Sequence, residues 1–145
     1  MLRVCRNIPK MSFKVISPKV VIIGSYKRGT KQLEALYEEL VLAGCQVLSP
    51  RGCEFDGGEF PRLAGEDMIS DANIEIYHLS SIVLSDLVWL HCPDGYLGSS
   101  GLFELGFAVA HKKVIFSYED ISGEVVLSDF LTKTTSVFQA LKSFK

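Results

Sequence analysis

The chain has 145 residues, of which 48% are hydrophobic and 22% are charged, and its formal net charge is -2. This length suits one domain with a packed core, and the composition argues against wholesale disorder. The small net charge gives no electrostatic basis for binding a nucleic-acid polymer or an anionic membrane, and no apolar run reaches the roughly 18 residues of a transmembrane helix.

Residues 1–18 form a basic stretch that we interpret as an N-terminal extension of a single domain over 19–145. This stretch lacks the continuous apolar region and the cleavage site of a secretory signal, so a cytoplasmic location is expected. The spacing of the cysteines contains no CxxC pair, so no metal is predicted and free thiols are expected. The cysteines are Cys5, Cys45, Cys53 and Cys92.

The first half of the chain predicts two strands joined by a helix. The β-branched run over 20–23 ends at Gly24, as is typical of a buried parallel strand. Thr30 is expected to cap the following helix and Gly44 to end it. Residues 45–50 then form a second short strand, which Pro50 stops.

The second half continues the alternation of helices and strands. We predict a long glycine-rich loop over 51–67, a helix over most of 72–86, a strand over 87–92, a helix over about 100–111, a strand over 113–118 and a closing helix over 130–144. The segment ISGEVVLSDF is either a fifth strand or irregular. This alternation predicts an α/β fold, a three-layer sandwich around a mainly parallel sheet of about five strands.

Ligands of such sheets bind beyond the carboxyl ends of the strands, where the loops GSYKRG and HCPDGYLGSS both lie. The glycines of GSYKRG permit close approach to a ligand, and Arg28 is suited to a bidentate contact with phosphate. The loop is not a P-loop, and an ordinary strand-to-helix turn is the alternative. Its residues expected to bind substrate are Gly24, Ser25, Tyr26, Arg28 and Gly29.

One acid, Glu104, lies inside the apolar helix that follows the second loop, where burying a carboxylate costs free energy. Its neighbours one turn away, Ser100 and Ala108, are small and leave space over the carboxylate. A position in or near the first helical turn would stabilise its charge. A nucleophile or substrate clamp is one interpretation, and a surface glutamate that complements the helix dipole is the other. The apolar face is expected to comprise Leu102, Phe103, Leu105, Phe107, Val109 and Ala110.

For each of the other polar residues near these loops, the sequence allows a functional and a structural interpretation. Asp94 either orients a substrate or belongs to a turn, and Asp86 either contacts a substrate or accepts a turn hydrogen bond. His78 is either an acid/base group or a structural histidine. The remaining candidates, which either bind substrate or only cap the helix, are Gly98, Ser99 and Ser100.

Three segments, VIIGSYKRG, SDLVWL and GYLGSSGLFELGFAVAHKKVIF, together resemble the nucleoside 2-deoxyribosyltransferase-like family, which includes deoxynucleoside 5'-monophosphate N-glycosidases. The resemblance spans roughly 19–118. It implies a flavodoxin-like, or Rossmann-like, sheet and a homodimer or higher homo-oligomer with active sites near the subunit interface. It also implies that Glu104 attacks the anomeric carbon of a deoxyribose and forms a covalent glycosyl-enzyme, which water or a second base resolves without a cofactor.

Two departures from the family pattern bear on catalysis. His78 stands where active relatives carry Asp, and Ser99 and Ser100 resemble the nucleotide-hydrolysing branch, whose serines contact the 5'-phosphate. The predicted function is therefore cleavage or deoxyribosyl transfer at the N-glycosidic bond of a small nucleoside or nucleotide. The alternatives are a nucleotide-binding module without turnover and, less favoured, a protein-binding scaffold.

Overall fold

A computed structural model describes residues 17–144, so that most of the predicted extension, residues 1–16, lies outside the described residues. The described segment alternates strands and helices along its whole length. The strands are β1 (Lys19–Gly24), β2 (Gln46–Ser49), β3 (Leu87–His91), β4 (Ile115–Ser117) and β5 (Thr132–Lys133), and the helices are α1 (Thr30–Leu42), α2 (Asp71–Leu84), α3 (Ser99–Ala110), α4 (Val125–Ser128) and α5 (Val137–Ser143).

The five strands form one sheet in the order β2-β1-β3-β4-β5, and every neighbouring pair is parallel. The predicted α/β class and the flavodoxin-like sheet are therefore confirmed. The chain moves outward from β1 to β2 and then crosses back to β3, so the strand order reverses between β1 and β3. A crevice for ligands opens at such a switch point, beyond the carboxyl ends of the strands.

Alternate residues of the strands build two separate cores. Val20 and Ile22 pack with α1 and α5 on one face of the sheet. Val21 and Ile23 pack with α2 and α3 on the other face. The helices are therefore the outer layers of a three-layer sandwich, and within residues 17–144 none has the length and apolar character needed to cross a membrane.

The end of the chain differs from its prediction. Thr132 and Lys133, which were expected in the closing helix, pair with Phe116 and Ser117 as the fifth strand. The helix begins only after Ser136, whose side chain accepts a hydrogen bond from the backbone N–H of Gln139. A strand of two exposed residues has no hydrophobic periodicity, so the pattern gave no sign of it. The segment ISGEVVLSDF contains the short helix α4.

The start of α1 also differs from its prediction. Gly29, and not Thr30, occupies the capping position, with a left-handed φ of 59° and no side-chain cap. A Cβ at Gly29 would lie 2.6 Å from the Cβ of Pro93, so glycine lets the turn pack against the loop after β3. Gly44 follows the end of α1 with a φ of 86°, as expected.

Alanine substitutions at Gly24 and Gly44, compared with each other, test how closely the end of β1 packs against β3. Both have positive φ, but a Cβ at Gly24 would lie 2.2 Å from the carbonyl oxygen of His91, whereas Gly44 faces open space. Alanine at Gly44 should cost about 1–2 kcal/mol of unfolding free energy from backbone strain alone. Alanine at Gly24 should cost a further ~1–3 kcal/mol from the clash. Urea unfolding of the two variants measures both losses, and equal losses would contradict the packing described here.

Candidate functional site

A cavity of about 870 Å³ opens at the carboxyl ends of β1 and β2, beside the loop after β3. Its size lies within the range of roughly 300–1,000 Å³ that small-molecule sites occupy. Its walls come from the loop after β1, from α2, from the start of α3 and from the long loop after β2. Most of the residues that the sequence singled out line it: Gly24, Ser25, Tyr26, Arg28, His78, Gly98, Ser99, Ser100 and Glu104.

Three of the expected site residues lie outside this cavity. Asp86 precedes β3 at the opposite end of the sheet, where its carboxylate accepts the backbone N–H of Lys19 at 2.8 Å. Asp94 is exposed, and its N–H donates to Glu119 Oε2 at 3.1 Å beside a separate cavity of about 230 Å³. Gly29 packs against Pro93. None of the three lines the main cavity, and their assignment as site residues stays a prediction.

Glu104 lies in the second turn of α3 and is only 4% exposed. The backbone N–H of Gly24 donates a hydrogen bond to its Oε2 at 3.2 Å. Its Oε1 lies 3.5 Å from Nε2 of His78, an electrostatic contact longer than an ordinary hydrogen bond. The expected help from the helix dipole is corrected, because that effect falls off beyond the first turn. The end of β1 supplies the hydrogen bond to this carboxylate instead.

The orientation of α3 differs from the predicted apolar face. Leu102 and Phe103 point outward, with 47% and 58% of their surface exposed. The buried face is Gly101, Glu104, Leu105 and Ala108. A Cβ at Gly101 would lie 3.0 Å from Cα of Gly24, so the absence of a side chain lets α3 approach β1 closely. This approach carries Glu104 to the backbone of Gly24.

His78 is hydrogen-bonded at one ring nitrogen, and the other, Nε2, is buried without a hydrogen-bond partner among the described residues and faces Glu104. Its Nδ1 shares a hydrogen bond of 2.6 Å with the hydroxyl of Ser49, which ends β2, and both residues are buried. An ionised carboxylate only accepts hydrogen bonds, so a charged Glu104 favours the tautomer with its proton on Nε2. Nδ1 then accepts a hydrogen bond that the Ser49 hydroxyl donates. Ser49 is a site residue that the sequence analysis missed, and nothing in its local pattern marked it.

A second acid, Glu75, lines the cavity from α2, three residues before His78. Burial, and then the nearby charge of Glu104, raises the pKa of Glu75 to about 7, while His78 opposes the shift. Among the described residues, Oε1 of Glu75 is buried without a hydrogen-bond partner. The sequence analysis also missed this residue, although the i, i+3 spacing of Glu75 and His78 places both on one helix face.

The loop after β1 is fixed by the end of β3. The N–H of Ser25 donates to the carbonyl of His91 at 3.1 Å, and Nε2 of His91 donates to the carbonyl of Arg28 at 3.0 Å. Burial lowers the pKa of His91, opposed in part by its hydrogen bond to Arg28. The Arg28 guanidinium lies 3.6 Å from the centre of the Tyr96 ring. A cation is thereby held at the mouth of the cavity near the start of α3.

The start of α3 offers unpaired backbone N–H groups to the same region. Gly98 is the capping residue and forms no side-chain cap. Ser99 and Ser100 are exposed and line the cavity, and neither is the capping residue, so their contact with a substrate stays a prediction. Backbone N–H groups, two hydroxyls and the nearby Arg28 form a set of donors that suits an anion.

The long loop after β2 covers the cavity with apolar and aromatic side chains. Phe55 stacks on Tyr26, with ring centres 5.1 Å apart, and the ring of Tyr26 meets that of His78 edge-on. Burial, and then the charges of Glu104 and Glu75, raises the pKa of Tyr26 well above its usual range. Arg62 fastens the loop by donating to the carbonyls of Glu66 and Ile69 and by pairing with Asp71. The cavity thus combines aromatic and apolar side chains of this loop, such as Phe55, Phe60 and Leu63, with the cationic Arg28.

Metal ligation finds no support in the described part of the chain. Residues 17–144 contain no group of three or more His, Cys, Asp or Glu side chains that could hold an ion. Cys45, Cys53 and Cys92 are free thiols, whereas Cys5 lies outside the described residues. Burial, together with Glu34 and Glu38, raises the pKa of Cys53 to about 11, which keeps it a neutral thiol.

Comparison with known proteins adds no relative to this description. None of the models of known protein families matches the chain. No curated protein matches it either. The chemistry of the cavity is therefore argued from its own residues.

Ser49 and Ser81 provide a matched test of the support under His78. Both serines are buried, but Ser49 bonds the imidazole whereas Ser81 bonds only the carbonyl of Tyr77 within its own helix. Ser49→Ala leaves a buried ring nitrogen unsatisfied, which should cost about 1–3 kcal/mol. Ser81→Ala should cost less than about 1 kcal/mol, since the backbone carbonyl keeps its helical bond. Denaturant unfolding measures both values, and equal losses would contradict the assigned role of Ser49.

Proposed function

We propose that this protein cleaves the N-glycosidic bond of a nucleoside or nucleotide, or transfers the deoxyribosyl group, with Glu104 as the nucleophile. The observation that carries the proposal is a buried carboxylate in the wall of a ligand-sized cavity. Removing a carboxylate from water costs several kcal/mol, whereas one hydrogen bond to a charged group returns only about 1.5–3 kcal/mol. No Lys or Arg among the described residues pairs with Glu104. Such an arrangement is costly for stability and suits a reaction that develops positive charge beside it.

The sugar of an N-glycoside develops that charge. As the bond to the base breaks, the anomeric carbon becomes oxocarbenium-like, and an adjacent carboxylate stabilises it or bonds to it. Glu104 forms the covalent glycosyl-enzyme, and water or a second base then displaces it. The N–H of Gly24 donates a hydrogen bond to one oxygen of the carboxylate, and His78 lies 3.5 Å from the other. We assign His78 to positioning this carboxylate, since its Nδ1 is engaged with Ser49 and its Nε2 faces Glu104.

The two ends of the cavity suit the two ends of a nucleotide. Arg28, Ser99 and Ser100 supply a guanidinium, hydroxyls and helix N–H groups at the mouth, where a 5'-phosphate is expected to bind. Phe55 and Phe60 contribute aromatic surface on the covered side, where a base is expected to lie. Because the cavity offers groups for both a phosphate and a base, it favours a 2'-deoxynucleoside 5'-monophosphate over a nucleoside without phosphate.

The resemblance to the nucleoside 2-deoxyribosyltransferase-like family supports the same reaction. The flavodoxin-like sheet that it implied is present, and the quoted segments VIIGSYKRG and GYLGSSGLFELG form the loop after β1 and the start of α3. Both segments line the cavity around Glu104. The family assignment itself stays a prediction.

A nucleotide-binding module without turnover is the second candidate. His78 favours it, because this position carries Asp in active members of the family that the sequence resembles. Such a module would retain the cavity and the anion-binding groups and would bind nucleotides without releasing a base.

A homodimer also stays a prediction. The outward face of α3 exposes Leu102, Phe103 and the backbone of Gly106, and it lacks charged side chains over its length. An exposed apolar face of this kind supports association with another protein surface. The proposed partner is a second copy of the chain.

Release of free base tests the catalytic proposal. Chromatography of the protein incubated with each of the four 2'-deoxynucleoside 5'-monophosphates should show base appearing over time. Glu104→Gln should reduce the rate at least about 10²-fold, since it removes the nucleophile and keeps the shape. Glu119→Gln, which changes a carboxylate beside the smaller cavity, is the matched control and should keep the rate.

Two outcomes would overturn this assignment. Unchanged release in Glu104→Gln would remove Glu104 from the reaction. Tight nucleotide binding with no release by the natural sequence would favour the binding module.

Arg28 provides a test of the phosphate end. Arg28→Gln should remove a charge-assisted contact of about 1.5–3 kcal/mol and raise KM for the monophosphate roughly 10- to 100-fold. The KM for the corresponding deoxynucleoside should change little. Lys31→Gln removes a cation on the exposed side of α1 and serves as the control. Equal effects of Arg28→Gln on the two substrates would place the phosphate elsewhere.

A further inference from the structure

Glu75 lies in the same cavity as Glu104, but the reaction proposed above gives this second carboxyl group no role. It lies on α2 and lines the main cavity. Its Oε1 is buried without a hydrogen-bond partner among the described residues, and no Lys or Arg of that segment pairs with it. A carboxyl group with a purely structural role is expected to satisfy its buried oxygens within the protein. The oxygen of Glu75 is instead available to a molecule in the cavity.

The groups around Glu75 favour its protonated form. The titratable side chains that face it are Glu104 on α3, His78 on its own helix and Tyr26 in the loop after β1. Burial and the charge of Glu104 raise its pKa to about 7, and only His78 acts in the opposite direction. Two carboxyl groups at close range disfavour double ionisation, so the pair retains a proton at pH values where an exposed glutamate has lost it.

We propose that Glu75 is the general acid that protonates the departing base, and that its carboxylate then activates the water that releases the sugar. This proposal rests on the function proposed above and assigns it a second catalytic residue. His78 is less suited to the task, because Ser49 engages one ring nitrogen, and the other, which has no hydrogen-bond partner among the described residues, lies 3.5 Å from Glu104.

The reaction has two steps, formation of the glycosyl-enzyme and its hydrolysis. An oxygen of Glu104 bonds to the anomeric carbon while the bond from that carbon to the base nitrogen breaks and its electron pair goes to the nitrogen. The base leaves with the proton of Glu75. In the second step Glu75 takes a proton from water, whose oxygen bonds to the anomeric carbon as the bond to Glu104 breaks. The net change is consumption of one water and release of base and free deoxyribose phosphate.

Two substrates that differ in their need for a proton test this role. A neutral base leaves easily only when protonated, whereas the cationic base of 7-methyl-2'-deoxyguanosine 5'-monophosphate leaves without an added proton. Single-turnover base release from 2'-deoxyguanosine 5'-monophosphate should fall about 10²- to 10⁴-fold in Glu75→Gln. Release of 7-methylguanine should fall far less, whereas Glu104→Gln should lose both. Glu38→Gln, on the exposed side of α1, is the matched control.

The pH profile supplies a readout that a merely structural role would not change. Base release by the natural sequence should fall as the pH rises through about 7, where Glu75 loses its proton. The fall should be absent in Glu75→Gln. Equal losses for both substrates, or an unchanged profile, would overturn the acid role of Glu75 while leaving the nucleophile assignment intact. Absence of release from both substrates by the natural sequence would overturn the proposed function together with this role.

The pH dependence of folding stability tests the protonation of Glu75 without an activity assay. A carboxyl group with a raised pKa in the folded state binds more protons folded than unfolded at intermediate pH, so its contribution to stability decreases as the pH rises from about 4.5 to about 7. The natural sequence should therefore lose stability relative to Glu75→Gln between pH 5 and pH 8 in thermal unfolding. A constant difference would show that Glu75 does not hold the proton and would overturn the proposal.

Discussion

The close approach of α3 to the end of β1 is the contact on which the site depends. Gly101 and Gly24 meet with almost no space between them, and the Gly24 N–H then reaches the carboxylate of Glu104. Any side chain at Gly101 would push the helix outward and carry Glu104 away from its donor. The fold therefore buries an acid at the carboxyl edge of the sheet, beside the point where the strand order reverses.

The carboxylate organises its surroundings electrostatically. It faces His78, whose other nitrogen is held by Ser49. Burial, and then the charge of this carboxylate, raises the pKa values of Glu75 and Tyr26. Four elements contribute these groups, namely the ends of β1 and β2, helix α2 and helix α3. Perturbed acids that share one cavity are a recognised mark of functional sites. The same arrangement is unfavourable for stability, which argues that it is retained for chemistry.

The sequence predicted those features that follow from local pattern and sheet direction. β-Branched runs predicted the strands, and parallel strands place the loops after β1 and β3 at one edge, so Gly24, Arg28 and Ser99 were correctly grouped. The orientation of α3 was not predictable from its pattern, because this helix is apolar on nearly every side and offers no clear buried stripe. Leu102 and Phe103 were therefore assigned inward and lie outward.

Contacts between segments that are distant in the sequence could not be predicted either. Ser49 and Glu75 acquire their roles only when β2 and α2 meet α3, and single-sequence patterns carry no signal for that meeting. Asp94 lies in the correct loop, but a positive φ of 54° turns its backbone toward Glu119 and away from the main cavity. The sequence therefore predicted that Asp94 lies in the loop after β3, but it did not predict which way the backbone of Asp94 turns.

The most direct test of the central claim is covalent capture of the nucleophile. A deoxynucleotide with a 2'-fluorine on its sugar and a base that leaves readily has a destabilised oxocarbenium-like state in both steps, but the good leaving group keeps the first step the faster one, so the glycosyl-enzyme should accumulate. Mass spectrometry of the digested protein should then place the sugar phosphate on the peptide that contains Glu104 and leave the Glu104→Gln variant unlabelled. Base release without any adduct, or an adduct on another residue, would contradict the assignment of the buried Glu104 carboxylate as the reacting group.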